Sequence, residues 1–449
     1  MTEQSEDPNF QAELTPTASG SVPWKRTFES LRVRNFRLYS ASNLLAMTAV
    51  WMQRIAQDWL VLQLTGSVAD VGITVAMQFA PMLFFGLYGG VLIDRYPKRL
   101  LLICTQSSAG VLSAILGLLS LTGVVQSWEV WIIALLGGFV TVIDNPTRQV
   151  FVNEMVGPRY LRNAITLNSS GFQLGALLGP AVSGVLIDAV GAGWSFCINS
   201  VACAVTVFVL TRLAVGELIP IASAPRKPGQ LREGIRYVVG TPVILWSIIM
   251  LSFVSVFALN MPVLLAAFAK NIYDVGASGY GLFNTLIAVG ALTGSLLSTR
   301  RRSLRLRTVI LSAATWSAIL VVTAIMPGEA AFGVMLVAAG VANQFFFMAG
   351  NPLVQMTSRL QLRGRVMSMW VLVLLGGQAL GAPAMGAFVA RFGPQVGMVI
   401  AGGVPLIASL AIGGYLARTR QLHPSVRVRR GIPSIRIVRS HGRGSATAR

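Results

Sequence analysis

Arg54 and Asp58 stand four residues apart in an otherwise uncharged stretch, Trp51-Met-Gln53-Arg54-Ile-Ala-Gln57-Asp58-Trp59. At that spacing on a helix they share one face, with Gln53 and Gln57 on the adjoining face. Charges at hydrocarbon depth are costly, so such residues are expected to face an internal cavity. The histidines, His423 and His441, lie near the C-terminus, outside every apolar stretch. That leaves a carboxylate as the ordinary proton acceptor. The expected chemistry is reversible protonation of Asp58, with Arg54 favouring its ionised form until the pair is broken. A permanent ion pair that orients its helix, or a pair near the outer headgroups, fits the same spacing.

The elements that position this pair follow from composition. The chain has 449 residues, 54% of them hydrophobic and 12% charged, with a mean hydropathy of +0.67. That excludes an ordinary soluble globular protein. Apolar runs long enough to cross about 30 Å of hydrocarbon recur along the chain. They predict twelve helical spans: 37–64, 70–93, 99–123, 128–147, 163–187, 193–213, 242–268, 276–299, 307–327, 331–356, 365–390 and 395–417. Barrel strands need only about 10 alternating residues, so the run length selects helices. Cys104, Cys197 and Cys203 lie inside these runs without metal-ligand spacing and read as small core side chains. No glycine-rich nucleotide loop is present, and no Ser/His/Asp set can form in the membrane without histidine. The expectation is a non-enzyme with no metal and no cofactor.

The two halves repeat. Asp70-Val71-Gly72, with Gly86 and Gly90, recurs as Asp274-Val275-Gly276, with Gly290 and Gly294. Asn145-Pro146-x-x-Gln149 recurs as Asn351-Pro352-x-x-Gln355, and Gly179, Gly184 and Gly191 recur as Gly381, Gly386 and Gly393. The shifts are 204, 206 and 202 residues. A two-fold repeat of membrane helices is the pattern of a transporter whose halves rock about a central site. The predicted fold is an all-α integral membrane protein with two pseudo-symmetric six-helix bundles. The organisation reads as an N-terminal tail at 1–36, a first bundle at 37–213, a linker at 214–241, a second bundle at 242–417 and a basic tail at 418–449. Residues 1–23 read as disordered, and Trp24 to Phe36 as a short helix along the membrane surface. The tail after Arg420 shows no apolar periodicity.

Formal net charge is +20, so nucleic acid has to be considered as a partner. All but three of the 36 lysines and arginines fall on alternate inter-span segments and the two tails. The three are Arg54, inside the first span, and Lys270 and Arg391 on the other face. The positive-inside rule then places both termini in the cytoplasm. Anionic lipid headgroups suffice to explain the basic tail, and nucleic acid is not needed.

Several motifs carry mechanism. The second span ends Gly89-Gly90-Val91-Leu92-Ile93-Asp94-Arg95-Tyr96-Pro97-Lys98-Arg99. Asp94 stands at a helix end near the predicted start of the eleventh span, and a carboxylate favours a helix N-terminus. Gly90, Asp94, Arg95, Lys98 and Arg99 are therefore read as a gate that holds the cytoplasmic side closed. The fifth span carries Gly171, Gly175, Gly179, Pro180 and Gly184. The first three glycines, four apart, allow close approach of another helix on one face. Asp144 is read as capping or gating with Arg148. Gln53, Gln57, Gln78, Asn168, Gln173, Asn260, Asn284, Asn343, Gln344 and Gln378 are candidates to line the cavity, as is Asn199. Phe345, Phe346, Phe347 and Trp370 are candidates to touch an apolar substrate.

The Gly90–Arg99 segment resembles the loop 2–3 signature of the major facilitator superfamily, with Pro97 where that family usually has glycine. The Gly179-Pro180 pair resembles the fifth-helix motif of its exporters, with Ser183 replacing a glycine. Trp51–Ser67, Pro146-x-Arg148-Gln149, Leu161–Ser170 and Asn260-x-Pro262-Val-Leu-Leu resemble a branch of bacterial exporters, including macrolide-efflux-like proteins, that handles siderophores, antibiotics and other lipophilic molecules. The resemblance runs from Phe36 to Arg420. It implies proton-driven efflux of a small lipophilic molecule by a monomer in the bacterial inner membrane, with protons and membrane lipid as further partners. It leaves the substrate open. The alternatives are an importer or facilitator and, more remotely, a non-transporting receptor. The arginine-bearing fourth-span motif of antiporters is not evident in residues 128–143.

Overall fold

The computed structural model describes residues 28–219, 230–298, 305–419, 422–429 and 432–439. Side-chain surroundings at 87–91, 94, 230–232 and 422–439 lie outside the description. The helices are α1 (Arg34–Thr65), α2 (Val68–Arg95), α3 (Lys98–Leu121), α4 (Ser127–Val190), α5 (Gly193–Arg212), α6 (Gln230–Gly240), α7 (Pro242–Phe253), α8 (Met261–Asn271), α9 (Gly276–Ser298), α10 (Leu306–Thr323), α11 (Glu329–Thr357), α12 (Arg363–Phe392) and α13 (Pro394–Thr419). Ten segments among the described residues are long and apolar enough to cross a membrane. The 32-residue α1 is long enough but falls outside those ten.

The fourth and fifth predicted spans run together in α4 as two helical arms that meet at a sharp break, with no extended loop over 148–162. Gly157 breaks the helical backbone at φ 63° and ψ −179°, immediately before Pro158. A side chain at Gly157 would also meet Ile219, 2.9 Å away. On a straight helix Arg148 and Asn168 would lie about 30 Å apart at 1.5 Å per residue. Both instead bond the Asn43 side chain, so the two arms of α4 fold back beside each other at Gly157. With α4 as two arms and α1 added, the helices accommodate the twelve predicted spans in order.

The seventh span, read as one run at 242–268, is also interrupted. α7 passes into a π-turn at Val254–Ala258, and α8 starts again at Met261 with Pro262 in its first turn. Pro262 lacks the N–H that a continuous helix needs there.

In the first half α1 packs on α4, α3 on α5 and α2 on α4. In the second half α9 packs on α11 and α10 on α13. The halves meet where α2 lies along α12 and where the second arm of α4 crosses α9. We call the end with Thr65, Val190 and Gly276 the outer end, and the end with Arg34, Arg95 and Gly157 the inner end. The Asp70 and Asp274 repeats differ locally. Asp70 lies in the first turn of α2, whereas Asp274 has φ 50° in the turn before α9.

Three tail and linker readings need correction. Residues 1–27 lie outside the described residues. From there a 3-10 turn at Glu29–Arg32 leads into α1, so the described part of the 24–36 segment is not one surface helix. Ser30 is held by the Asn163 side chain. The linker contains the helix α6, docked through Tyr237 and a Glu233–Arg365 ion pair. The C-terminal tail forms an antiparallel hairpin, β1 (Leu422–Arg429) with β2 (Ile432–Arg439). The signal was an alternation, Val426-Arg-Val428-Arg, which is a strand period.

Candidate functional site

Asp58 is 3% exposed, and its partner is not Arg54. Its Oδ2 accepts a hydrogen bond from the Tyr280 hydroxyl of α9 at 3.1 Å. Its Oδ1 is buried without a partner. Arg54 instead lies over the rings of Trp51 and Phe79, 5.2 and 5.5 Å from their centroids. The Arg54–Asp58 ion pair is thus replaced by a cation on aromatic faces and a carboxyl bonded across the two halves. Trp59 stacks on Tyr280 at 5.7 Å, which fixes the phenol. Sequence reasoning missed Tyr280, whose only signal was a polar tip in an apolar span.

Asp58 is seven residues from the end of α1, about 10 Å along the axis. Around it the outer end is drawn together. Gly184 and Gly281 meet back to back: a Cβ on Gly281 would lie 2.5 Å from the Pro180 carbonyl and 2.8 Å from Gly184 Cα. Asp188 of α4 accepts hydrogen bonds from the backbone N–H groups of Ala277 and Ser278, at 3.2 and 2.8 Å. Lys270 of α8 donates to the carbonyls of Leu62 and Gly66 at the end of α1. On the other seam Gly72 faces Ala382, and Gly386 faces Val68 and Ala69. The hydrogen bonds of Asp58, Asp188 and Lys270 between the halves all lie at this outer end.

The glycines of the fifth span divide their work. Gly175 and Gly179 lie against Met47, Thr48 and Trp51 of α1, within the first half. Gly184, nine residues beyond Gly175 and so half a turn round, faces the second half. Gly171 approaches only Leu44, at 3.9 Å, so the close face does not include it.

The polar candidates do not form one lining. Gln53 Oε1 accepts from Ser113 at 2.6 Å and Asn199 at 2.5 Å, a packing role among α1, α3 and α5. Gln57 accepts from Gln78 at 3.3 Å. Asn168 accepts from Asn43, Asn260 donates to the Val256 carbonyl, and Asn284 donates to the Tyr280 carbonyl. Asn343 keeps a buried oxygen without a partner. Gln344 packs its Cβ near Gly294, and Gln173 and Gln378 are half-buried. Two grooves of about 430 and 490 Å³ lie at the outer end around Leu282 and Glu329, and none of these residues lines them. Phe346 and Trp370 are core residues, 0% and 1% exposed, against Trp316 and Gly350.

A second charged pair lies inside the first half. Arg148, placed by the sequence in a loop, is 6% exposed and ion-paired with Asp144. Thr105 and Gln106 also bond Asp144, at 2.8 and 2.9 Å. This network ties α1, α3 and both arms of α4 together, with both carboxylate oxygens of Asp144 partnered. Cys203 is buried, Cys197 half-buried and Cys104 exposed, so Cys104 is not the core residue expected.

At the inner end, Gly90 and Asp94 lie in the last turns of α2, their side-chain surroundings outside the description. Arg95 is exposed. Lys98 pairs with Glu154 at 3.7 Å, and Arg99 donates to the Leu210 and Thr211 carbonyls at the end of α5. Lys98 and Arg99 therefore bind their own half and brace it.

The sequence matches the family described as transmembrane secretion effector over residues 25–429. The chain belongs to this family. The family is a branch of the major facilitator superfamily, and its match extends beyond both ends of the described helical core. Among curated relatives, the enterobactin exporter EntS of Salmonella choleraesuis is 24% identical over 396 residues, covering 87% of this chain and 94% of the relative. The Escherichia coli exporter of that name is 22% identical over 401 residues, with coverages of 87% and 94%. Among solved structures, an inward-facing, unoccupied bacterial homologue of the human lysosomal transporter Spinster aligns with TM-score 0.64 at 16% identity, covering 89% of this chain and 98% of that one. The nucleoside transporter NupG aligns with TM-score 0.65 at 14% identity, with coverages of 85% and 98%. The transmembrane secretion effector described here is a multi-pass membrane transporter of the bacterial inner membrane, not an enzyme.

Proposed function

We propose that this chain is a secondary active exporter of small lipophilic molecules, of the siderophore or antibiotic kind, driven by proton antiport. Its bundles are residues 37–213 and 242–417, and it works as a monomer with both termini in the cytoplasm. The inner end is then cytoplasmic and the outer end periplasmic. The observation that carries the reading is Asp58, a carboxyl buried in one half and bonded to Tyr280 of the other at the closed outer end. The curated relatives, named as enterobactin exporters, support the direction and the class of cargo.

The physical argument is one of cost. Burying a carboxylate without a counter-charge is unfavourable by several kcal/mol. When the outer end is open, Asp58 is within reach of periplasmic water and takes up a proton. The neutral acid then enters the buried site as the halves close, where Oδ2 accepts from Tyr280 and the proton sits on Oδ1. Closure of the outer end carries that proton inward. Arg54, held on Trp51 and Phe79, stays near enough to favour release later in the cycle.

Orientation is tested by reporter fusions active only in the periplasm. Fusions near Asp70 and Lys270 are expected to be active and a fusion at Arg420 silent. Activity at Arg420 would overturn both the orientation and the count of passes. The inner gate is tested by Asp94→Ala, which should lower transport several-fold at normal expression. Disulfide cross-links between 95–97 and 361–365 should form in wild type while substrate is released outward. If they form in no state, the Asp94 gate is wrong.

A further inference from the structure

The pentapeptide Gly90-Val91-Leu92-Ile93-Asp94 recurs letter for letter as Gly184-Val185-Leu186-Ile187-Asp188. The first copy ends α2 at the inner end, and the second ends α4 at the outer end. Their counterparts in the second half, Gly294–Ser298 and Gly386–Ala390, carry serine and alanine in place of the acid. Each aspartate sits in the last turn of its own helix, where the helix dipole disfavours a negative charge. Such a residue gains most from a partner outside its helix.

Asp188 has that partner. It accepts from two free N–H groups at the start of α9, in the opposite half. Gly276, with φ +66°, turns the chain into α9 beside the carboxylate: a Cβ built there would lie 3.5 Å from Asp188 Oδ1. Beside it Lys270 of the second half donates to the terminal carbonyls of α1 in the first half. An acid on a helix start and a lysine on a helix end, exchanged between the halves, make a reciprocal clasp.

We infer that Asp188 is the latch of the outer gate, the counterpart of Asp94 at the inner gate, with Lys270 as its second hook. The inference rests on the alternating-access reading above. The same short sequence, placed at both membrane faces, lets one half grip a helix start of the other half at whichever face is closed. The inverted placement of the two copies fits the inverted repeats from which such bundles are built. Asp188 is solvent-exposed, so the latch biases an equilibrium and does not weld it.

The test uses the full chain with Cys104, Cys197 and Cys203 replaced and spin labels on introduced cysteines. One pair, at Thr122 and Ala330, reports the outer end; the other, at Pro97 and Gln361, reports the inner end. Asp188→Ala should raise the open share at the outer pair about fivefold, as expected for losing a helix cap worth about 1 kcal/mol. Asp188→Asn, which keeps an acceptor and the same shape, should give a smaller shift, and Lys270→Gln one of the same sign. Asp94→Ala should leave the outer pair closed. An outer distribution unchanged in both Asp188→Ala and Lys270→Gln, in folded protein, overturns the latch. Transport persisting in those same variants would leave the exporter reading standing. An opened outer pair in a chain that moves no cargo would do the reverse.

Discussion

Asp58→Asn, purified and placed in liposomes, should exchange substrate across the membrane and ignore an imposed pH gradient. The asparagine oxygen can still accept from Tyr280, so the bond that joins α1 to α9 survives. What it loses is the ability to alternate between charged and neutral forms. In the wild-type chain the charged form resists burial and only the neutral acid lets the outer end close. In the variant closure no longer requires a proton, and gradient-driven accumulation should fall to background while counterflow remains near wild type. Tyr280→Phe separates the two roles: it removes the hydroxyl and keeps the ring that stacks on Trp59. It should retain coupling but open the outer end more readily. Wild-type gradient response in Asp58→Asn would remove Asp58 from the mechanism.

Gly281→Leu should hold the outer end open. A Cβ there already meets the Pro180 carbonyl at 2.5 Å, which is backbone and cannot swing aside. Overpacking of this kind costs about 1–3 kcal/mol. The closed-to-open ratio should fall about 5- to 150-fold, and transport should fall with it. Gly175→Leu is the contrast. Its clash is with Met47 and Thr48 inside the first half, so the expected result is less folded protein, not a shifted gate. A lower folded yield for Gly175→Leu, beside a folded Gly281→Leu chain whose outer end stands open, would support this division of labour. A Gly281→Leu chain that closes normally would refute it.

Much of the architecture was legible because a bilayer forces long apolar runs and a positive-inside bias, both of which survive in a bare sequence. The break between the fourth and fifth spans was not. Residues 148–162 are polar and basic, which reads as a loop, yet they stay helical on either side of Gly157. Arg148 was misplaced for the same reason, since its charge is absorbed by Asp144 and not by water. The charged residue types of the site were legible, but their partners were not. Arg54 and Asp58 are the right spacing for a pair, but Tyr280 is 222 residues further on and reaches Asp58 only because the two halves close. Asp188 was overlooked among ordinary span-end residues, although its pentapeptide repeats that of Asp94.

The most direct test of proton-driven export is accumulation in everted membrane vesicles that pump protons inward by respiration. Labelled enterobactin and a labelled macrolide serve as probes, with wild-type, Asp58→Asn and empty-vector membranes side by side. Wild-type vesicles should accumulate a probe, and a protonophore should abolish that accumulation. Accumulation that survives the protonophore, or that is equal in Asp58→Asn and wild type, would contradict the account.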